Sequence, residues 1–392
     1  MTQRPAPLAA VLAVTFLGSV SSGVFWSGIF FVTAEHYRFT PTRNLVLAAA
    51  MGAIYALGAR YAGQLLRVLE RRFSPRAVLA TGLLIWALAS LGPLLFDGIE
   101  AMVWVAGLVG GAMPAIVWPI LESFLVAGRH GKDMRSALGW FNVTWTPATA
   151  LALLLMPIVS QAGSLAALVL SAAGSIAALA ATFALPAHPG VHEADAAQAA
   201  VGREYPYLMR AGSWLLPMSY ILVAVMSPLL PHRLATVGGG AGAGGVAALW
   251  MVARFATLLV MWRSGFWHGR WATLALAVGA LAVGLAAVML APSLAVLAAG
   301  LILFGVGMGL TYYGALYYSL AVGHAAVDAG GSFEALIGFG YFAGPVLGLA
   351  ARAVVEPAHA ASATVGLAWL VTAGCSSGAL GRYLAARRTR AP

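Results

Sequence analysis

A chain of 392 residues that is 61% hydrophobic and only 9% charged, with a mean hydropathy of +0.89, has too few polar side chains to clothe soluble domains, which are usually about 45–50% apolar and about 25% charged. Its solvent is lipid, and at roughly 20 apolar residues per span there is room for about twelve membrane-crossing helices and little else. The formal charge of +10 would mark a nucleic-acid surface only if the basic residues clustered on one solvated face; here they are scattered through short segments between apolar runs. Cys375 is the single cysteine, so no intrachain disulfide can form.

In chain order, Arg4 precedes an apolar stretch from Leu8 to Val32. That is longer than the core of a signal peptide and lacks a small-residue cleavage site, so it reads as a retained first span. Further spans are expected at 44–66, 76–96, 101–127, 136–160 and 164–186. A polar segment at 187–210 follows, then spans at 211–231, 240–262, 270–291, 293–320, 331–355 and 360–384. Helices are required because lipid leaves no partner for an open backbone. His188 and His192 in the polar segment read as part of a solvated linker rather than a metal pair. The Gly-rich run at 238–245 reads as a flexible loop before span 8.

Arg38, Arg43 and Arg233 fall on one side of the membrane and Arg60, Arg254 and Arg352 within spans, while every other Lys and Arg falls on the opposite side. The positive-inside rule makes that side, with both termini and the 187–210 linker, cytoplasmic. One Lys against many Arg, with abundant Ala and Gly, is the composition of a GC-rich bacterium and implies an inner-membrane location.

The two halves repeat. Ala59-Arg60-Tyr61-Ala62 in span 2 matches Ala253-Arg254-Phe255-Ala256 in span 8, and each Arg is followed by another at the same distance, Arg76 and Arg270. The constant offset is close to half the chain, which points to a duplicated six-span unit. The expected domains are an N-terminal bundle (1–186), the cytoplasmic linker (187–210) and a C-terminal bundle (211–392).

Twelve spans arranged six plus six, with cytoplasmic ends and a central cytoplasmic linker, resemble the major facilitator superfamily of secondary transporters. The resemblance implies an all-α membrane protein of two six-helix bundles related by pseudo-two-fold symmetry. The superfamily's loop after span 2 reads Gly-x-Leu-x-Asp-Arg-x-Gly-Arg-Arg; this chain has Gly63, Gln64 and Leu65, then Arg67 in place of the Asp, and Glu70-Arg71-Arg72. Gly63, Arg67, Glu70 and Arg71 are therefore the candidate gating loop, with Glu70 as the substitute acid. A Gly-x-x-x-Gly-Pro-x-x-Gly signature, characteristic of span 5 in antiporters, occurs instead in span 11 as Gly340, Gly344, Pro345 and Gly348, and reads as a helix-packing face.

Charges at bilayer depth are costly and mark working parts. Glu122 in span 4, Glu334 in span 11, Arg60 in span 2 and Arg254 in span 8 balance in sign. They are expected to form charge pairs that a proton opens during alternating access. Arg352 reads as an interface anchor. The resemblance places spans 1, 4, 7 and 10 around a central cavity, with their partners 2, 5, 8 and 11 flanking it. Trp26, Trp118, Asn142, Trp145, Tyr313 and Tyr317 are the candidate substrate contacts. No span holds a histidine, and no Gly-rich loop with a Lys could cradle a phosphate, so a metal site, a cofactor and an ATP-driven pump are not expected. No acid-base-nucleophile set marks an enzyme.

The reading is a monomeric, proton-coupled secondary transporter in the lipid bilayer, moving a small amphipathic organic molecule, with export favoured. The rivals are uptake of a small metabolite by symport or uniport, and a non-transporting receptor or assembly factor that reuses the fold.

Overall fold

The computed structural model describes residues 5–129, 131–163, 165–189, 204–238, 243–322 and 327–388. Arg4, most of the polar linker with His192, and the centre of the Gly-rich run lie outside the described residues.

The chain forms helices α1 (Leu8–Glu35), α2 (Pro41–Leu69), α3 (Pro75–Leu95), α4 (Glu100–Val126), α5 (Gly131–Gln161) and α6 (Ala166–Thr182). Beyond the linker come α7 (Tyr205–Met226), the short α8 (Leu230–Thr236) and α9 (Ala243–Ala247), then α10 (Leu249–Arg263), α11 (Trp271–Met289), α12 (Leu294–Val322), α13 (Val327–Val354) and α14 (Ala360–Arg388). Among the described residues, eleven helical stretches are long and apolar enough to cross a membrane, and α6 is apolar but shorter. Large apolar side chains stand in the open on outer faces, Leu57, Leu88, Ile158 and Leu370 being 59–69% exposed. Water would penalise that surface and lipid accommodates it.

Local sequence sets the helix ends. Thr40 and Ser74 cap α2 and α3, their hydroxyls accepting from the Arg43 and Ala77 amides, and each is followed by a proline at the first helical position. The expected eighth span is interrupted: a turn at Ala248 separates α9 from α10. The seventh begins earlier than expected, at Tyr205, where Pro206 suits a first helical turn and the Glu204 carboxylate accepts from Trp271 Nε1 at 2.7 Å.

Packing in the first part of the chain joins α1 to α4, α5 and α6, α2 to α4, and α3 to α4 and α6. In the second part α7 joins α12, α13 and α14, α10 joins α12, and α11 joins α12 and α14. The two sets map onto each other helix for helix, α1 onto α7 and so on to α6 onto α14, with α8 and α9 as extra short pieces. The major contacts across the parts are α2 with α13 and α5 with α10, which the same mapping interchanges.

Two features hold these contacts close. Between α1 and α6, the Ser21 hydroxyl donates to the Ser171 carbonyl at 2.7 Å and lies 2.7 Å from the Ser175 hydroxyl, a buried polar cluster whose members supply each other's partners. Along α2 and α13, small residues bring backbones together. A Cβ on Gly52 would overlap the backbone of Tyr341, one on Gly338 would lie 2.6 Å from Ala56 Cα, and one on Gly348 would lie 2.8 Å from Leu45 Cδ2. Gly340 and Gly344 lie against Tyr220 and Ile221 of α7 in the same way. Arg352 Nε donates to Thr42 Oγ1 at 3.1 Å across the same seam, a specific contact for the residue expected only as an anchor.

Candidate functional site

A cavity of about 190 Å³ opens between the two parts of the chain. Its walls come from α1, α2, α4, α5, α7, α10, α12 and α13, so neither part forms it alone. Pro114, inside α4, and Pro345, inside α13, lie on its surface, where missing backbone N–H groups relax helix geometry.

Arg254 is the most constrained charge in it. The side chain is 3% exposed, and its guanidinium carbon lies 4.7 Å from the ring centres of both Trp145 and Tyr312. Its Nη2 donates to the Tyr220 hydroxyl at 3.1 Å, while its buried Nε has no partner. The aromatic faces stabilise the cation by their quadrupoles without neutralising it. Trp145 is fixed from behind, its Nε1 donating to Asn142 Oδ1 at 3.0 Å, and Asn142 Nδ2 in turn donates to the Leu138 carbonyl.

Two carboxylates face the same space. Glu334 of α13 is 7% exposed and accepts from the Tyr55 hydroxyl of α2 at 2.5 Å, a hydrogen bond between the two parts of the chain. Glu122 of α4 lines the same cavity. Trp26 and Tyr341 close an aromatic wall over Tyr55: the Trp26 ring centre lies 5.8 Å from that of Tyr55 and 4.8 Å from that of Tyr341, and its Nε1 donates to the Gly110 carbonyl. Trp118 contributes a further face, and Ser19, Ser22, Ser27 and Thr149 add hydroxyls.

The structure thus brings Glu122, Glu334, Arg254, Trp26, Trp118 and Trp145 to one cavity, but it does not bring all the expected residues there. Arg60 is exposed on the outer face of α2, over the Tyr61 ring. Its long stem lets the charge leave the apolar layer, so it forms no part of the charge cluster. The expected Arg–Glu pairs are also absent: among the described residues no carboxylate lies within ion-pair distance of Arg254, while ion pairs such as His36–Asp97 and Arg43–Glu100 lie at helix ends away from the cavity. Asn142 stands behind Trp145 rather than in the cavity wall.

Tyr313 and Tyr317 lie elsewhere too. Tyr313 packs edge-on against Trp267, and Tyr317 stacks on His268 at 4.5 Å, within an aromatic cluster around the loop after α10. Burial there lowers the His268 pKa below its ordinary value. Their neighbour Tyr312 is the one that reaches the cavity, one residue or about 100° around the helix. Tyr55, Tyr220, Tyr341 and Trp250 are cavity residues that sequence reasoning missed. A lone tyrosine within an apolar span was the available signal, because its hydroxyl must find a polar partner.

The candidate gating loop lies at the end of α2, with Arg67 in the last turn, Glu70 as the residue that ends the helix, and Arg71 beyond it, all exposed; Gly63 is half-buried in the preceding turn. Nearby, Arg76 Nη1 donates to the Leu185 carbonyl at 2.9 Å and ties the start of α3 to the segment after α6. Among the described residues no three His, Cys, Asp or Glu side chains come together as a metal-ligand set.

A helical membrane protein whose two parts enclose a central cavity holding buried charges has the architecture of a transporter, and comparison with known proteins gives the class. The model of the Major Facilitator Superfamily matches residues 11–349, and the chain belongs to that superfamily. It is a membrane-embedded transporter of small molecules and not an enzyme. Among solved structures it is similar to a mutant form of the nucleoside transporter NupG, with a TM-score of 0.67 and 14% identity over 95% of this chain and 99% of that one. It is also similar to the unmutated NupG structure, with a TM-score of 0.66 and 13% identity over 96% and 98%. No curated protein matches it in sequence.

Proposed function

We propose that the protein is a proton-coupled importer of a small polar metabolite, working by alternating access of two six-helix bundles with α6 as the twelfth span. The carrying observation is the single cavity in which Arg254, boxed by Trp145 and Tyr312, shares space with Glu122 and Glu334. Uptake replaces the expected export. Among its aromatic walls the cavity presents a guanidinium, two carboxylates and several hydroxyls, which suits a small solute carrying a polar or charged group rather than a wholly apolar one. The similarity to a nucleoside transporter supports a small polar solute in the same way.

In this reading a carboxylate takes the coupling proton, since a desolvated ionised group is costly unless neutralised or paired. The Tyr55–Glu334 hydrogen bond links proton occupancy to the α2–α13 seam, and the glycines at 340, 344 and 348 let α13 slide against α7 and α2. Arg67, Glu70 and Arg71 serve as the cytoplasmic gating loop. Both termini are cytoplasmic, and the protein works as a monomer in the inner membrane. An open cavity and a buried Arg254 argue against a non-transporting receptor. The test is uptake of radiolabelled metabolites into liposomes containing the purified protein, with and without an inward proton gradient. Gradient-dependent accumulation of a polar metabolite is expected, and failure of the gradient to alter the flux of any solute that enters overturns the coupling.

A further inference from the structure

Arg254 is a buried cation whose partners are all neutral. Trp145 and Tyr312 cover its faces, the Tyr220 hydroxyl takes one N–H, and Nε has no acceptor. Glu334 is engaged by Tyr55, and no carboxylate among the described residues reaches the guanidinium. A guanidinium taken out of water without a counter-ion is the costliest arrangement of that group, and a planar carboxylate, offering two oxygens to two parallel N–H donors, is its best complement. We infer that the carried solute is a small monocarboxylate whose carboxylate group docks on Arg254 while its flat or apolar body lies against Trp26 and Trp118. This deepens the reading of the cavity as a transport site and rests on it.

The rest of the cavity narrows the class. About 190 Å³ walled largely by aromatic rings is too roomy and too apolar for an inorganic anion alone, and one guanidinium matches one negative charge. The ionisable groups sharing the cavity with Arg254 are Glu122 from α4, Glu334 from α13, and the hydroxyls of Tyr55 on α2, Tyr220 on α7, Tyr312 on α12 and Tyr341 on α13. With the tyrosines neutral, the site has no net charge when one of its two glutamates is ionised. Adding a monoanion restores neutrality only if that glutamate also takes a proton from the outer solution. The exchange balances as one proton and one anion in, both released to the cytoplasm, so the cycle moves no net charge.

The test uses the full-length protein in liposomes with an inward proton gradient, offered phenylacetate, its neutral analogue phenylacetamide and its cationic analogue phenethylamine. Phenylacetate is expected to accumulate in preference to the other two, at a rate unaffected when a potassium gradient with valinomycin sets the membrane potential. Arg254→Gln should weaken its binding at least about tenfold, with Arg254→Lys retaining part. Isothermal titration calorimetry in detergent reads that binding without transport, on variants whose melting shows them folded. Preference for the amide or amine, or unchanged phenylacetate binding in folded Arg254→Gln, overturns the inference and leaves coupled transport standing. If none of the three binds or accumulates while another class of solute is taken up with protons, the inference fails alone; if nothing is transported at all, both readings fail.

Discussion

The α2–α13 seam can be challenged with a single methyl group. In Gly52→Ala the new Cβ would overlap the Tyr341 carbonyl group and lie 2.5 Å from the Phe342 amide nitrogen. These are backbone atoms inside a helix and cannot rotate aside, so α2 and α13 must separate. Overpacking of this kind costs about 1–3 kcal/mol, which shifts the balance between the closed and separated seam by about 5- to 150-fold. Gly374→Ala is the matched control: its Cβ meets nothing within 4 Å, and the substitution gains about 1 kcal/mol of helix propensity. The assay is the rate at which a short bifunctional thiol reagent crosslinks cysteines at positions 42 and 352, where the Arg352 side chain reaches Thr42 across the seam, in a Cys375→Ser background. Crosslinking should slow at least fivefold in Gly52→Ala and stay at the parent rate in Gly374→Ala. An unchanged rate in folded Gly52→Ala protein would refute the argument that glycine is needed for contact there.

Three further outcomes follow from polar contacts. Tyr55→Phe removes the donor to Glu334 and should cost about 1.5–3 kcal/mol of stability if the carboxylate is ionised, read as a lowered unfolding midpoint in detergent. Ser21→Ala strips the α1–α6 cluster of its shared hydroxyl and leaves Ser175 short of a partner; a loss of about 1–3 kcal/mol is expected, whereas an unaltered melting temperature would mean that water fills the gap. On the loops, the hydrogen bond from His36, at 2.8 Å, holds the Asp97 carboxyl below its ordinary value. The folded state therefore gains from this pair at neutral pH and loses the gain as acidification protonates Asp97. His36→Gln should flatten the acid limb of the stability–pH curve, and an identical limb in both proteins would rule the pair out.

Much of this architecture was legible in the sequence because the bilayer imposes simple demands. Apolar runs had to be helices, and a charge left inside one had to face a cavity, which brought Glu122, Glu334 and Arg254 into view. What the sequence withheld was rotation. Arg60 and Arg254 sit in matching tetrapeptides, yet one reaches the outer surface and the other the cavity, because only Arg60 has an outward route for its charge. On α12, apolar all round, nothing in the pattern says which of Tyr312, Tyr313 and Tyr317 points inward; α10, the loop after it and α7 decide that. Tyr55, Tyr220 and Tyr341 stand as lone tyrosines in apolar runs, which marks hydroxyls in need of partners, but those partners are on distant helices and no local pattern names them. The absence of Arg–Glu pairing has the same origin: sign balance along a chain says neither how many charges share a site nor which of them touch.

The central claim, a cavity that couples a small solute to a proton, is tested most directly by following lumenal pH with a trapped dye as an imported solute is added to liposomes bearing the protein. Solute addition should acidify the lumen of liposomes with the parent protein, and Glu122→Gln or Glu334→Gln should abolish the acidification while solute still binds. Solute entry with no change in lumenal pH, or equal acidification by both folded variants, would contradict the account.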